Sequence, residues 1–174
     1  GVDRVTTKSW RDTAAFHCAQ GLAAAGRQKH ADAEQHFRKQ LRLLEEHGEP
    51  KDAAASAEAR LRVGLAMKSQ GGQKQVDSID VFGETLDKAM SSLPGQHELT
   101  RIARNELAAS LVSLTCDAIL MPENLLGVNV SQIQQSLDHI EQLKPKIAWP
   151  HFLRAVIAFR QGKSEEAREH LRQC

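Results

Sequence analysis

The sequence predicts an all-α protein, an α-solenoid of about four antiparallel helix pairs. Its composition favours helices, because 23 Ala and 19 Leu outnumber the 22 Val, Ile and Thr residues that suit strands. Helix-breaking residues divide the 174-residue chain at regular intervals into eight candidate helices. In the first helix of each pair a small residue recurs every 43 to 47 residues, at Gly21, Gly64, Ala108 and Ala155. Such a period is typical of stacked helical repeats.

The first predicted pair covers about 9–47. Ser9, with Asp12 three residues later, resembles a capping box that begins a helix ending at Gly26. The second helix is predicted over about 30–47 and ends before a Gly-Glu-Pro sequence. Its apolar residues repeat at helical spacing and are Ala33, Phe37, Leu41 and Leu44.

The second predicted pair covers about 51–93. Asp52 is expected to cap its first helix, which ends at Gly71-Gly72. Its second helix is predicted over about 78–93, and Pro94-Gly95 closes it.

The third predicted pair covers about 97–144. Its first helix, about 97–120, is apolar on two sides and should therefore be covered from two directions. Its second helix follows the loop 122–128, can be capped by Asn129, and ends before Pro145.

The fourth predicted pair covers about 148–174. Pro150 suits the first turn of a helix, and Gly162 ends that helix. Ser164-Glu165-Glu166 begins the last helix, where carboxylates favour an N-terminus.

The last 26 residues resemble a tetratricopeptide repeat. Ala155 stands where the two helices would cross, Gly162 at the turn, and Ala167 and Leu171 on the second helix. Small residues are needed at the crossing because they let two helices approach closely. A second copy, with a turn about one residue longer, is indicated by Gly21, Ala33 and Phe37.

This resemblance implies a right-handed superhelix. The family's unit is about 34 residues. The longer interval here overlaps that of HEAT and armadillo repeats, so another α-solenoid or an irregular bundle remains an alternative.

Composition and charge exclude several classes of function. Hydrophobic residues make up 41% and charged residues 26%, as in a folded globular domain, so 1–174 is predicted to be one helical-repeat domain. The net charge of +1 conceals an acidic segment, 76–143, with 3 basic and 10 acidic residues. Because that segment would repel a polyanion, we expect no extended nucleic-acid binding.

The expected location is the cytoplasm or another reducing compartment such as the nucleus. The three cysteines, at 18, 116 and 174, suggest no disulfide framework. No apolar run approaches the roughly 20 residues that span a bilayer, so no membrane partner is expected. The chain starts and stops abruptly, which suggests a fragment of a longer protein.

The sequence offers no assembled chemistry. It contains no phosphate-binding glycine loop, and its histidines and cysteines lack metal-ligand spacing. His17 and Cys18 are adjacent, but successive helical residues point about 100° apart, so the imidazole does not face the thiol. We therefore predict no enzyme activity, no catalytic residue, no cofactor and no metal site.

The resemblance implies a binding function instead. In tetratricopeptide proteins the first helices of successive pairs line a concave groove that holds a peptide or helix of a partner. Basic groups over an apolar floor suit a peptide with carboxylates and apolar anchors. On this basis the predicted partner-binding groove comprises Glu58, Leu61, Arg62, Leu65, Lys68, Arg101, Asn105, Phe152, Val156, Phe159 and Arg160.

The main hypothesis is a non-catalytic adaptor that binds a protein partner within a larger assembly. One alternative is a structural or oligomerisation segment, a homo-oligomer that forms through the ends of the solenoid. A less favoured alternative is an RNA-binding helical repeat. The apolar loop at 121–130 is expected either to fold back on the solenoid or to contact a partner.

Overall fold

The computed structural model is all-helical over the residues it describes, 9–95, 97–120, 130–144 and 148–174. The all-α prediction is confirmed. The loop predicted at 121–130 lies outside the described residues, apart from the backbone of Val130. Within the described ranges the helices are α1 (Trp10–Gly26), α2 (His30–His47), a 3-10 turn (Pro50–Asp52), α3 (Ala53–Lys68), α4 (Gly72–Ser92), α5 (Glu98–Leu120), α6 (Val130–Leu143), α7 (Trp149–Arg160) and α8 (Ser164–Arg172).

The chain divides into two compact units. The first, Gly1–Arg104, holds α1 to α4 and the start of α5. The second, Asn105–Cys174, holds the rest of α5 and α6 to α8. The prediction that residues 1–174 form one domain stays a prediction.

In each helix pair of the first unit, a glycine of the first helix contacts a phenylalanine of the second helix. In this unit α1 packs against α2, α2 against α3, and α3 against α4. A Cβ atom on Gly21 would lie 2.5 Å from Cε1 of Phe37, and one on Gly64 would lie 2.6 Å from Cε1 of Phe82. Both rings are buried. The two pairs therefore cross in the same way, glycine of the first helix against phenylalanine of the second.

The second helices of these two pairs carry the same buried stripe. Each stripe has spacings of four, four and three residues, and the two are offset by 45 residues. All eight residues are buried, as expected for the core face of an amphipathic helix. The stripes are Ala33, Phe37, Leu41 and Leu44 on α2, and Ser78, Phe82, Leu86 and Ala89 on α4.

The second unit has its own buried contacts. Here α7 packs against α6 and α8. Ala108 and Ala155, which the sequence predicts to lie at helix crossings, are buried like Gly21 and Gly64. Arg154 of α7 donates hydrogen bonds to Glu141 at 2.8 Å and to Asp138 at 2.6 Å, and so joins α7 to α6.

The turns of the first and last pairs are the same length, so the predicted one-residue difference is wrong. Lys29 N donates to Ala24 O at 2.9 Å, and Lys163 N donates to Ala158 O at 2.9 Å. The donor and acceptor residues of the two turns lie 134 positions apart in the sequence, and so do Gly21 and Ala155. At the same separation, Gln28 is equivalent to Gly162, and both have a positive φ, 60° and 75°.

The start of α4 and the hydrogen bonds of Asp52 also differ from the predictions. Helix α4 begins at Gly72, six residues earlier than predicted, because Gly71 and Gly72 take φ of 73° and 53° and reverse the chain at once. Asp52 occupies the N-cap position of α3, as predicted, but its side chain makes no capping hydrogen bond there. Its carboxylate instead accepts hydrogen bonds from the Glu49 backbone N at 3.0 Å and from Arg11 at 2.7 and 3.0 Å, which joins α1 to the 3-10 turn.

A methyl group added at either glycine crossing should destabilise the protein. We expect Gly21→Ala and Gly64→Ala each to lower the free energy of unfolding by about 1–3 kcal/mol, because the added methyl group would lie less than 3 Å from a buried ring and force that ring or the helix to shift. Gly83→Ala on α4 is the matched control. Its Cβ would meet nothing within 4 Å, and Ala is favoured over Gly in a helix by about 1 kcal/mol. Urea denaturation measures all three variants, and equal effects at positions 64 and 83 would contradict the packing argument.

Exchanging the two turn residues should move stability in opposite directions. Gln28→Gly should raise the free energy of unfolding by about 1 kcal/mol, since a side chain is strained at positive φ. Gly162→Gln should lower it by about the same amount. Thermal and urea unfolding of both variants provide the measurement. The strain argument fails if the two changes have the same sign.

Candidate partner-binding groove

An apolar groove lies between α1 and α3 in the first unit. Its volume is about 200 Å³. Leu22 and Leu65 line it and remain 50% and 37% exposed, although both are large apolar residues. Contiguous exposed apolar surface of this kind marks binding sites. The full lining is Leu22, Ala25, His30, Phe37, Arg62, Leu65, Ala66 and Ser69.

The crossing glycines position the two exposed leucines. Leu22 directly follows Gly21, and Leu65 directly follows Gly64. Because each glycine faces the second helix of its own pair, the next residue is turned about 100° away. The two leucines thus take equivalent places on α1 and α3 and line the same groove.

Arg62 supplies the charge of the groove. Its Nη2 donates to Glu58 Oε1 at 2.6 Å, and its Nη1 donates to Cys18 Sγ at 3.0 Å. The side chain is half-buried. The guanidinium is therefore held beside the apolar lining by one contact from α3 and one from α1.

The other groove residues predicted in the first unit are placed differently. Leu61 is only 5% exposed and belongs to the core, so it is not accessible to a partner. Glu58 and Lys68 are half-buried on α3. Arg101 is exposed on α5, where it donates to Glu98 at 3.4 Å and lines a separate cavity of about 280 Å³.

The remaining predicted groove residues belong to the second unit. Asn105 on α5 and Val156 on α7 are half-buried. Phe152, Phe159 and Arg160 are exposed on α7. Phe152 packs edge-on against Trp149, with ring centroids 5.7 Å apart.

Sequence reasoning missed the contribution of α1. Leu22, Ala25 and Cys18 all contact or line the groove, yet none was predicted. The signal was present in the repeat: the residue after each crossing glycine is a leucine, and only the one after Gly64 was assigned to the groove.

Buried charges in the first unit join helices together. Glu34 accepts hydrogen bonds from Arg38 at 2.9 Å, Gln70 at 2.8 Å and Lys74 at 2.8 and 3.0 Å. Burial opposes its ionisation, but these donors outweigh burial and lower the pKa of Glu34. Both carboxylate oxygens are thus occupied, and Glu34 connects α2 to α4 and to the end of α3.

Arg60 makes a second connection of this kind. It is buried and donates to Glu84 of α4 at 2.7 Å and to Glu45 of α2. A buried charge without partners would be costly, so these pairs hold α3 between its neighbours.

Two histidines meet between α1 and α2. Nδ1 of His17 lies 3.1 Å from Nδ1 of His36. Burial lowers the pKa of His17, and positive charge on His36 and Lys39 lowers it further. Within the described part of the chain, no group of three or more His, Cys, Asp or Glu residues is placed to hold a metal ion.

The histidine pair should make stability depend on pH. The folded state favours neutral His17, whereas the unfolded chain protonates at its ordinary pKa of 6.5. Stability should therefore be full above pH 6.5 and fall as the pH drops from 6.5 through the lowered folded pKa. Thermal unfolding at pH 7.5, 6.5 and 5.5 measures this fall. His17→Gln should flatten it and His139→Gln, at an exposed site on α6, should not; an unchanged slope in His17→Gln would exclude the pair as the cause.

Comparisons with known proteins indicate no function for the chain, so a functional proposal has to rest on the fold and the groove. Among the described helices none combines the length and apolar character needed to cross a membrane. A scan against protein-family models, a search of curated proteins and a search of solved structures each returned no match for the chain.

Proposed function

We propose that this chain is a non-catalytic protein-interaction module of the tetratricopeptide type, a right-handed α-solenoid that binds a peptide or helix of a partner. The recurring crossings at Gly21 and Gly64 support the repeat assignment, because both close a helix pair against a phenylalanine ring. The saturated hydrogen bonds of Glu34 support a structural rather than a catalytic role for that buried carboxylate.

The groove between α1 and α3 is the observation that carries this proposal. It places exposed apolar side chains from two successive pairs beside a single guanidinium. Its volume of about 200 Å³ suits one large apolar side chain of a partner rather than a whole cofactor. Burying that side chain would supply affinity, and Arg62 would add specificity.

A carboxylate is the polar group that the groove fits. Arg62 already binds the carboxylate of Glu58 at 2.6 Å. A partner carboxylate would replace Glu58 on Nη2 of Arg62, and a guanidinium can bind a carboxylate through two nitrogens at once. The preferred ligand is therefore a segment with an aspartate or glutamate next to a leucine or aromatic residue.

Charge reversal at the groove should abolish partner capture. We expect the double variant Arg62→Glu, Lys68→Glu to lose the proteins that the wild-type chain retains from a lysate. With an identified partner, the affinity of the double variant should be lower than that of the wild type by about tenfold or more. Glu58→Ala should strengthen capture, because it removes the internal competitor for Arg62.

The control is an equal charge reversal elsewhere, Arg42→Glu with Lys51→Glu, at exposed positions that do not line the groove. Capture by this control should match that of the wild type. If the Arg62, Lys68 variant also captures partners unchanged, the groove is not the binding site.

A further inference from the structure

A polar cavity lies beside the first two turns of α5, within the first unit. Its volume is about 280 Å³, and the described residues that line it are Gly95, His97, Thr100, Arg101 and Arg104. The last four follow the spacing of a single helix face, and three of them carry a basic side chain. The lining residues are together called the α5 cavity below.

Basic residues are concentrated at this cavity against an acidic background. Residues 76–143 carry 3 basic and 10 acidic groups, and two of the three basic residues are Arg101 and Arg104. They lie in the first two turns of α5, where the unpaired N–H groups of a helix add partial positive charge. Both sources of positive potential favour an anion in the cavity.

The guanidinium of Arg104 is available to bind such an anion. Arg104 is half-buried and, within the described ranges of the chain, makes no hydrogen bond or ion pair. Arg101 donates to Glu98 at 3.4 Å, and both side chains of that pair are mostly exposed. Because an exposed pair contributes little, an incoming anion can displace Glu98 from Arg101.

His97 offers a donor of known identity. The backbone N of Leu99 donates to Nδ1 of His97 at 3.2 Å, so this nitrogen is the acceptor of the ring. In neutral histidine the other nitrogen then carries the proton. Nε2 of His97 is therefore a donor whether the ring is neutral or charged.

Thr100 carries a hydroxyl group that lacks a partner. The residue is only 4% exposed, yet its Oγ1 makes no hydrogen bond. Ser78 and Thr85, which are also buried in the first unit, donate to backbone carbonyl oxygens at 2.6 and 2.7 Å. A buried polar group without a partner is costly. A ligand oxygen in the cavity that Thr100 lines would supply the missing acceptor.

A phosphate monoester suits this set of donors better than a carboxylate does. Its three terminal oxygens accept hydrogen bonds from several directions, whereas a carboxylate has only two oxygens. Guanidinium, imidazole and hydroxyl donors all line the α5 cavity. Since a water molecule takes up about 30 Å³, the cavity also has room for the organic substituent of the ester.

We propose that the α5 cavity binds a phosphate monoester. Arg104 is its principal charge partner, His97 and Thr100 donate hydrogen bonds to it, and Arg101 joins them on leaving Glu98. The proposal does not depend on the groove between α1 and α3 or on the function proposed for that groove.

Calorimetric titration of the full chain at constant ionic strength tests the ligand class. The probes are glycerol 3-phosphate and three acetylated, amidated tripeptides, in which phosphoserine, serine or aspartate stands between two alanines. Both monoesters should bind about tenfold or more tightly than the serine and aspartate tripeptides. Tighter binding of the phosphoserine tripeptide than of glycerol 3-phosphate would assign the ligand to a phosphorylated protein side chain, and the reverse order to a small molecule. Equal binding of the phosphoserine and aspartate tripeptides, or no binding of either monoester, would overturn the proposal.

Variants of the chain locate the site. Arg104→Gln should weaken binding of both monoesters about tenfold, and Glu98→Gln should strengthen it by removing the competitor for Arg101. Arg42→Gln, at an exposed position on α2, and Arg62→Gln, in the groove between α1 and α3, should leave it unchanged. A loss of binding in Arg62→Gln but not in Arg104→Gln would place the phosphate in the groove and overturn this proposal alone.

Thr100→Val separates binding from folding. It removes a hydroxyl group that has no partner, so the free energy of unfolding without ligand should stay the same or rise. Monoester binding should nevertheless weaken, by about threefold or more. Urea denaturation and calorimetry measure the two effects, and circular dichroism confirms that each variant is folded. Arg101→Gln, at an exposed position, repeats the test if Arg104→Gln does not fold. Unchanged monoester affinity in Thr100→Val and in the arginine variants would exclude the α5 cavity.

Discussion

The absence of a side chain at two helix crossings is the constraint on which the first unit depends. With only hydrogen at Gly21 and Gly64, the rings of Phe37 and Phe82 lie directly against the opposing helix. This contact buries a large apolar group in each pair. It also fixes the rotation of α1 and α3, and that rotation turns Leu22 and Leu65 toward the groove. Core packing and the binding surface thus have one cause.

Charged residues add order to that packing. Glu34 gathers donors from three different side chains, and Arg60 binds carboxylates on both neighbouring helices. Breaking a buried pair is costly because it leaves a charge without a partner. These pairs therefore select one arrangement of α2, α3 and α4 over alternatives in which the helices slide past one another. Arg62 serves differently, since it is only half-buried and faces the groove.

Composition, periodicity and breakers were enough to predict most of the helices and the crossing glycines Gly21 and Gly64, because these depend on local spacing. They were not enough to place α4, whose first residues are polar and give no apolar period before Ser78. Nor could they separate Leu61 from Leu65. Both lie on the apolar side of α3, and only the approach of the neighbouring helices decides that Leu61 is buried and Leu65 exposed. The meeting of His17 with His36 was equally hidden, since it joins two helices.

Both residues of the first crossing differ from the residues at the equivalent positions of the last helix pair. Where the first pair combines Gly21 with Phe37, the last combines Ala155 with Leu171 at the equivalent positions. One position has an added methyl group and the other has an aliphatic side chain instead of an aromatic ring, so the combined side-chain volume is nearly the same. Evolution at these two positions is therefore expected to be correlated, with neither changing without the other in homologous sequences. The pair would then serve as a marker for aligning repeats whose other residues have diverged.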